Sequence, residues 1–156
     1  MTIHNPHNPN ETVVSRVWPD HCVQGTPGCE LVKELDQSNI DHIIEKGQDA
    51  RVEMYSAFAA PFSDPTVAES GLRDLLNKAA ISHVYVVALA TDYCVKYTAI
   101  DSAKAGFKTY VVSDATKAID SSDSNLTALR KTFADHNVET INLDGPEFNR
   151  VRNRQA

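Results

Sequence analysis

One cysteine occupies a position where a reactive thiol would be useful. Cys94 follows a strongly apolar segment, residues 83–90, and lies in the first turn of a predicted helix. Backbone N–H groups in such a turn lack partners within the helix and favour a nearby anion. They increase the thiolate fraction of a cysteine and can hold an oxyanion during acyl transfer. A nucleophile is therefore one interpretation of Cys94, and a small buried apolar residue is the other.

A lysine ends another predicted strand. Lys46 closes the segment DHIIEK, residues 41–46, and Gly47 follows it. A partly desolvated ammonium group there could stabilise a thiolate or a developing negative charge. A strand-end lysine that extends into water is the alternative, and the residue type alone favours that alternative.

A histidine lies in the Pro- and Gly-containing loop at residues 18–28. His21 stands between Asp20 and Cys22, so its imidazole could bind a metal or relay protons. No spaced partner follows it in the sequence. A structural loop histidine is the alternative interpretation.

Three aromatic residues lie in predicted loops or at the start of a helix. They are Trp18, Tyr55 and Tyr93. Large rings in such positions could form the wall of a pocket for a flat ligand. The commoner role of such rings is to pack loops onto the core.

The second half of the chain contains the elements that must position these side chains. It alternates a strand at 83–90, a helix at 93–105, a strand at 108–113, a helix at 122–136 and a strand at 138–143. This alternation predicts right-handed crossovers and a parallel sheet covered by helices on both faces. The predicted fold class is therefore α/β, with three α/β/α layers and the apolar strand 83–90 buried. Ligands bind at the carboxyl ends of strands in such sheets, which favours Lys46 and Cys94.

The first half of the chain gives weaker signals. Residues 1–17, which are polar and rich in Asn and Pro, predict an irregular lead-in. Residues 30–36 predict a short helix, residues 48–65 a loop, and residues 67–80 a helix with apolar spacing. We expect one domain over residues 18–150, preceded by that lead-in.

Composition limits the classes of partner. The 156 residues suit one domain, and 42% hydrophobic with 23% charged residues is typical of a globular protein. A net charge of -6 argues against nucleic acid and anionic membranes as partners. The three cysteines form no CxxC pair, which fits a reducing compartment. No apolar run is long enough to cross a bilayer, and no secretory signal is recognisable, so we expect a cytoplasmic or also nuclear location.

Four stretches of the chain, in this order, resemble the nicotinamidase branch of the isochorismatase-like cysteine hydrolases. They are residues 18–28 (WPDHCVQGTPG), Lys46-Gly47, residues 55–58 (YSAF) and residues 88–95 (ALATDYCV), and residues 111–115 (VVSDA) continue the match. The first and the last of the four are highly specific together. The resemblance implies an isochorismatase-like, Rossmann-like fold and hydrolysis of nicotinamide to nicotinate and ammonia in NAD salvage.

The resemblance also implies catalytic roles for the matched residues. Cys94 would attack the carboxamide carbon and form a thioester that water then hydrolyses, with Lys46 as the catalytic lysine. The N–H groups of Ala90 and Cys94 would form the oxyanion hole. A cis peptide bond is expected between Leu89 and Ala90.

Binding roles are implied in the same way. His21 would be a ligand of a divalent metal, expected to be zinc, that holds the pyridine nitrogen. Trp18, Tyr55 and Tyr93 would bind the substrate, a small-molecule amide. A homo-oligomer is left open as a further partner.

The amino-terminal section of that family has no counterpart in the sequence. In the family it carries a strand with a catalytic Asp, and an Asp and a His that bind the metal; residues 1–17 match neither motif. We therefore expect the amino-terminal strands to be missing, one matched metal ligand, and no assigned proton acceptor for Cys94. Asp92 is interpreted as a helix N-cap. The alternatives are another amide or ester hydrolase of the superfamily and a catalytically inactive binding module.

Overall fold

The structure, a computed structural model, describes residues 1–152 and begins with a β-hairpin. Strands β1 (Thr2–Asn5) and β2 (Asn8–Val14) pair antiparallel. The expectation of an irregular lead-in over residues 1–17 is therefore wrong.

Contacts with a later part of the chain stabilise this hairpin. The Asn5 side chain is buried, and its Nδ2 donates to the carbonyl oxygens of Asp64 and Pro65 at 3.2 and 2.8 Å. Ile3 and Val13 pack against an apolar cluster made by Val52, Met54, Ala60 and Phe62. A polar local sequence gives no sign of such distant partners, which is why the hairpin was missed.

Residues 15–71 contain little regular structure. A 3-10 turn at Pro27–Cys29 and isolated β-bridges are the regular features in this range. The predicted helix at 30–36 and strand at 41–46 are both wrong. Both segments are exposed almost throughout, so neither buries an apolar face that could stabilise it. The predicted loop at 48–65 is confirmed.

The second half forms the predicted α/β unit. Its elements are α1 (Leu72–Lys78), β3 (His83–Leu89), α2 (Lys96–Lys104), β4 (Lys108–Lys117), α3 (Asp123–Asp135), β5 (Val138–Ile141) and α4 (Pro146–Arg152). Helix α4 has no counterpart among the predicted elements. The three strands are parallel, in the order β3-β4-β5. The α/β class with a parallel sheet is confirmed. Within the described part of the chain, no helix is long and apolar enough to cross a membrane.

Helices lie on both sides of this sheet. On one face, α2 and α3 enclose the main apolar core, which comprises Val86, Val95, Ala99, Val111, Leu129, Phe133 and Val138. Because side chains alternate along a strand, Tyr85 and Tyr110 lie on the opposite face, where their rings stack at 4.8 Å. The Tyr85 hydroxyl donates to Glu147 of α4 at 2.9 Å.

Strand β3 is less buried than its apolar sequence predicts. Among the described residues it pairs with β4 on one side, and no strand pairs with its other edge. Val87 and Leu89 are 53% and 72% exposed. The expectation of a buried strand over residues 83–90 is therefore wrong in its burial, although the strand itself is confirmed.

Candidate functional site

Cys94 lies in the turn that connects β3 to α2. The peptide bond between Leu89 and Ala90 is cis, as expected. Residues 91–95 then form a π-helical turn, in which the Val95 N–H donates to the Ala90 carbonyl at 3.1 Å. π-Helical turns are rare and occur frequently at functional sites. Cys94 is half-buried and lies where strand β3 leads into helix α2, as the sequence predicted.

Lys46 reaches this turn from the irregular first half. Its Nζ lies 3.7 Å from Cys94 Sγ and donates to the Met54 carbonyl at 2.8 Å. The next residue, Gly47, has a φ of 69°, a left-handed conformation that favours glycine. Its N–H contacts Met54 Sδ at 3.3 Å. The loop, rather than a strand, therefore places an ammonium group beside the thiol.

The three predicted aromatic residues come together, and a fourth joins them. Trp18 and Tyr93 meet edge to face at 4.7 Å between ring centroids, and Tyr55 lies 5.4 Å from Tyr93. Tyr97 stacks on Tyr55 at 5.5 Å and was missed from the sequence. Its position four residues after Tyr93 is a signal that could have found it, since such residues share a helix face. We call these four residues the aromatic wall.

Polar contacts fix the aromatic wall. Trp18 Nε1 donates to the Tyr55 hydroxyl at 2.8 Å. The Lys96 ammonium lies 4.6 Å from the centre of the Tyr97 ring and 5.9 Å from that of Tyr93. Partial burial lowers the pKa of Lys96. Partial burial also raises the pKa of Tyr97.

Asp92 does not cap the helix. Its side chain is 7% exposed, and its two carboxylate oxygens accept from the N–H groups of Ile119 and Asp120, each at 3.0 Å. The N-cap interpretation is therefore wrong, because the nearest donors come from the loop before α3. Asp92 instead connects the Cys94 turn to that loop.

His21 lies apart from any complete set of metal ligands. It is exposed, and its Nδ1 lies 2.7 Å from the Pro19 carbonyl oxygen. Across residues 1–152, no three His, Cys, Asp or Glu side chains form a group that could hold a metal ion. Zinc takes at least three protein ligands at a catalytic site. The described residues therefore do not supply a site that fits a divalent metal.

The sequence and the fold both have known relatives. The isochorismatase domain family matches residues 1–143. The nicotinamidase of Acinetobacter baylyi is 42% identical over 123 residues, which are 79% of this chain and 54% of that protein. The chain thus spans about half the length of this curated relative.

Solved structures agree with the sequence relatives. The yeast nicotinamidase Pnc1p bound to the inhibitor nicotinaldehyde superposes with a TM-score of 0.82 at 31% identity, over 91% of this chain and 66% of that one. The pyrazinamidase of Pyrococcus horikoshii in complex with zinc superposes with a TM-score of 0.65 at 32% identity, over 81% and 63% of the two chains. With a family match over nearly all of its residues, the chain belongs to the isochorismatase family.

Proposed function

We propose that this protein is a cysteine-dependent amidohydrolase that converts nicotinamide to nicotinate and ammonia, a reaction of NAD salvage. The observation that carries the proposal is the Lys46–Cys94 pair, with 3.7 Å between Nζ and Sγ. The aromatic wall begins at the neighbouring residue, Tyr93. A thiol, a cation and a surface for a flat ring are features that hydrolysis of an aromatic amide can use. Relatives named nicotinamidases support the choice of substrate.

The chemistry proceeds through a covalent intermediate. The Cys94 thiolate attacks the carboxamide carbon and forms a C–S bond, and the carbonyl oxygen becomes an oxyanion. The N–H groups of Ala90 and Cys94 are the proposed donors to that oxyanion. Collapse of the adduct breaks the C–N bond, and the departing nitrogen takes up the proton that the Cys94 thiol released and leaves as ammonia. Water then adds to the thioester, and nicotinate and the free thiol are released.

Lys46 supplies positive charge for these reaction steps. An ammonium group within 4 Å of sulfur attracts the negative charge that the attacking sulfur brings to the substrate. The hydrogen bond from Nζ to the Met54 carbonyl holds the ammonium in place. Lys46 is therefore proposed as the activating residue of Cys94.

A divalent metal is proposed for the whole protein, with zinc as its identity and His21 as a candidate ligand. The support is the zinc complex of the Pyrococcus horikoshii pyrazinamidase. When bound, such a metal would polarise or orient a ligand. No step above depends on it.

Ammonia release from nicotinamide tests the proposed function. The purified protein should release ammonia, Cys94→Ala should abolish the release, and Cys29→Ala should preserve it because the Cys29 thiol is exposed and contacts Thr26. An inactive wild-type protein, or an active Cys94→Ala variant, would contradict the proposal.

A comparison of amides tests the role proposed for the aromatic wall. Nicotinamide and pyrazinamide present a flat ring to it, and acetamide presents none. We expect a higher kcat/KM for the two ring amides. Equal kcat/KM values for the three amides would show that the wall does not bind the substrate.

A further inference from the structure

Arg16 is an exposed residue that none of the steps above uses. Its Nη1 donates to the Tyr93 hydroxyl at 3.3 Å, and its Cζ lies 4.6 Å from the centre of the Trp18 ring. Trp18 belongs to the loop at residues 18–28, and Tyr93 immediately precedes Cys94. One guanidinium group thus contacts two separate segments of the site at once.

Hydrogen bonds of Ser15 fix the main chain next to Arg16. Ser15 is 6% exposed, and its N–H donates to the Met1 carbonyl at 2.8 Å. The Ser15 hydroxyl lies 3.3 Å from the hydroxyl of Tyr55, another member of the aromatic wall. The Arg16 side chain therefore extends over the wall from a fixed base, although the side chain itself is exposed.

The chemistry of the contacts suits arginine. A planar guanidinium can stack on an aromatic face and donate an in-plane hydrogen bond at the same time, which an ammonium group cannot reproduce. The hydrogen bond with Tyr93 raises the pKa of Arg16 above its ordinary value, and a guanidinium group is not deprotonated in proteins. Arg16 is thus a permanent cation on the outer side of the Trp18–Tyr93 contact.

We infer that Arg16 is a positioning residue that clamps Trp18 and Tyr93 together, and so preorganises the aromatic wall for the ring of the substrate. This inference rests on the proposed function for the identity of the substrate. The clamp itself rests only on the contacts of Arg16. Arg16 does not reach the reacting atoms in this role; it acts through the two rings.

Trp18 makes the clamp measurable without any turnover. It is the single tryptophan of the chain, so all tryptophan fluorescence reports on its surroundings. Arg16→Gln should make Trp18 more accessible to quenching by acrylamide, because the cover of the ring is removed. Arg16→Lys should give intermediate quenching, since it keeps the positive charge and loses the planar guanidinium group.

Arg130→Gln is the matched control. Arg130 is an exposed arginine on α3, so its replacement changes the net charge by the same amount. Its quenching should equal that of the wild-type protein. Identical quenching of Arg16→Gln and wild type would overturn the clamp.

Kinetics separate positioning from a purely structural role. Arg16→Gln should raise KM for nicotinamide about two- to fivefold, the size expected for one exposed cation–π contact. It should leave kcat nearly unchanged, because the rings bind the substrate equally before and during the reaction. A changed quenching value with an unchanged KM would overturn the positioning role.

Failure of the proposed function would be distinguishable from failure of the clamp. If the wild-type protein releases no ammonia from nicotinamide, the proposed function fails. The quenching comparison then still decides whether Arg16 orders the two rings. Tyr93→Phe gives an independent check, because it removes the hydroxyl that accepts from Arg16 and keeps the ring. In that background, Arg16→Gln should change the quenching less than it does in the wild-type protein.

Discussion

At the residue scale, the proposed chemistry depends on two side chains, Lys46 and Cys94, which lie 3.7 Å apart. Lys46 lies in a loop, and the first regular element after it is α1. The short distance between Lys46 and Cys94 therefore depends on the conformation of that loop. The hydrogen bond to the Met54 carbonyl and the contact of Gly47 with Met54 fix that loop. Because Met54 is itself buried at 4% exposure, the ammonium position is tied to the core.

Lys46→Met should slow the alkylation of Cys94. The variant removes the cation 3.7 Å from the sulfur, so the alkylation rate should fall at least roughly fivefold, from the Coulomb energy of such a pair. The measurement is the rate of reaction with iodoacetamide, resolved for each cysteine by peptide mass spectrometry. Cys22 and Cys29 are exposed and serve as internal controls, whose rates should not change. Equal slowing of all three thiols would argue against a specific effect of Lys46.

The roles expected for Cys94 and Lys46 could be predicted only from the motifs that contain them. Residue types alone left both Cys94 and Lys46 open between a catalytic and an ordinary role, and the structure brings them within contact. Tyr97 had a local signal in its helical spacing from Tyr93. Arg16 had none, because its contact with Tyr93 joins residues that lie far apart along the chain.

At the element scale, Asp92 connects the π-helical turn to the segment that enters α3. A carboxylate that accepts two backbone hydrogen bonds forms charge-assisted interactions, which are stronger than neutral ones. Because Asp92 is buried, few water molecules can replace it as an acceptor. The link fixes the turn immediately before Cys94.

Asp92→Ala should lower the free energy of unfolding by about 2–4 kcal/mol, because the N–H groups of Ile119 and Asp120 lose their acceptor. Urea denaturation measures the change. Asp135→Ala is the control, since Asp135 forms an exposed ion pair with Lys131 one helical turn away and such pairs contribute little. If both variants unfold at the same urea concentration, the Asp92 link does not stabilise the fold.

The elements differ in how far sequence could predict them. Strands β3, β4 and β5 and helices α2 and α3 were predictable because each has a clear apolar pattern and packs on its chain neighbours. The hairpin β1–β2 was not, since its order depends on residues 52–65. Residues 41–46 show the opposite case. Their apolar pair, Ile43 and Ile44, predicts a strand, yet Ile43 is 62% exposed and no strand pairs with it among the described residues.

For the whole molecule, one edge of strand β3 has no pairing strand among the described residues. An edge strand is a template for pairing with another chain. Charged residues or proline usually protect such an edge, and the segment from Val84 to Leu89 contains neither. A net charge of -6 opposes association in general but does not act on this edge in particular.

Val87→Lys should therefore reduce concentration-dependent self-association of the protein. Val87 is 53% exposed on β3, so a lysine can be accommodated there while its charge protects the edge. Val23→Lys is the matched control: Val23 is 51% exposed in the loop at residues 18–28, and either substitution changes the net charge from -6 to -5. Sedimentation velocity over a range of concentrations measures the weight-average mass of each protein. We expect Val87→Lys to lower that mass at high concentration and Val23→Lys to leave it unchanged. Equal lowering by both variants would mean that net charge, and not the β3 edge, controls association.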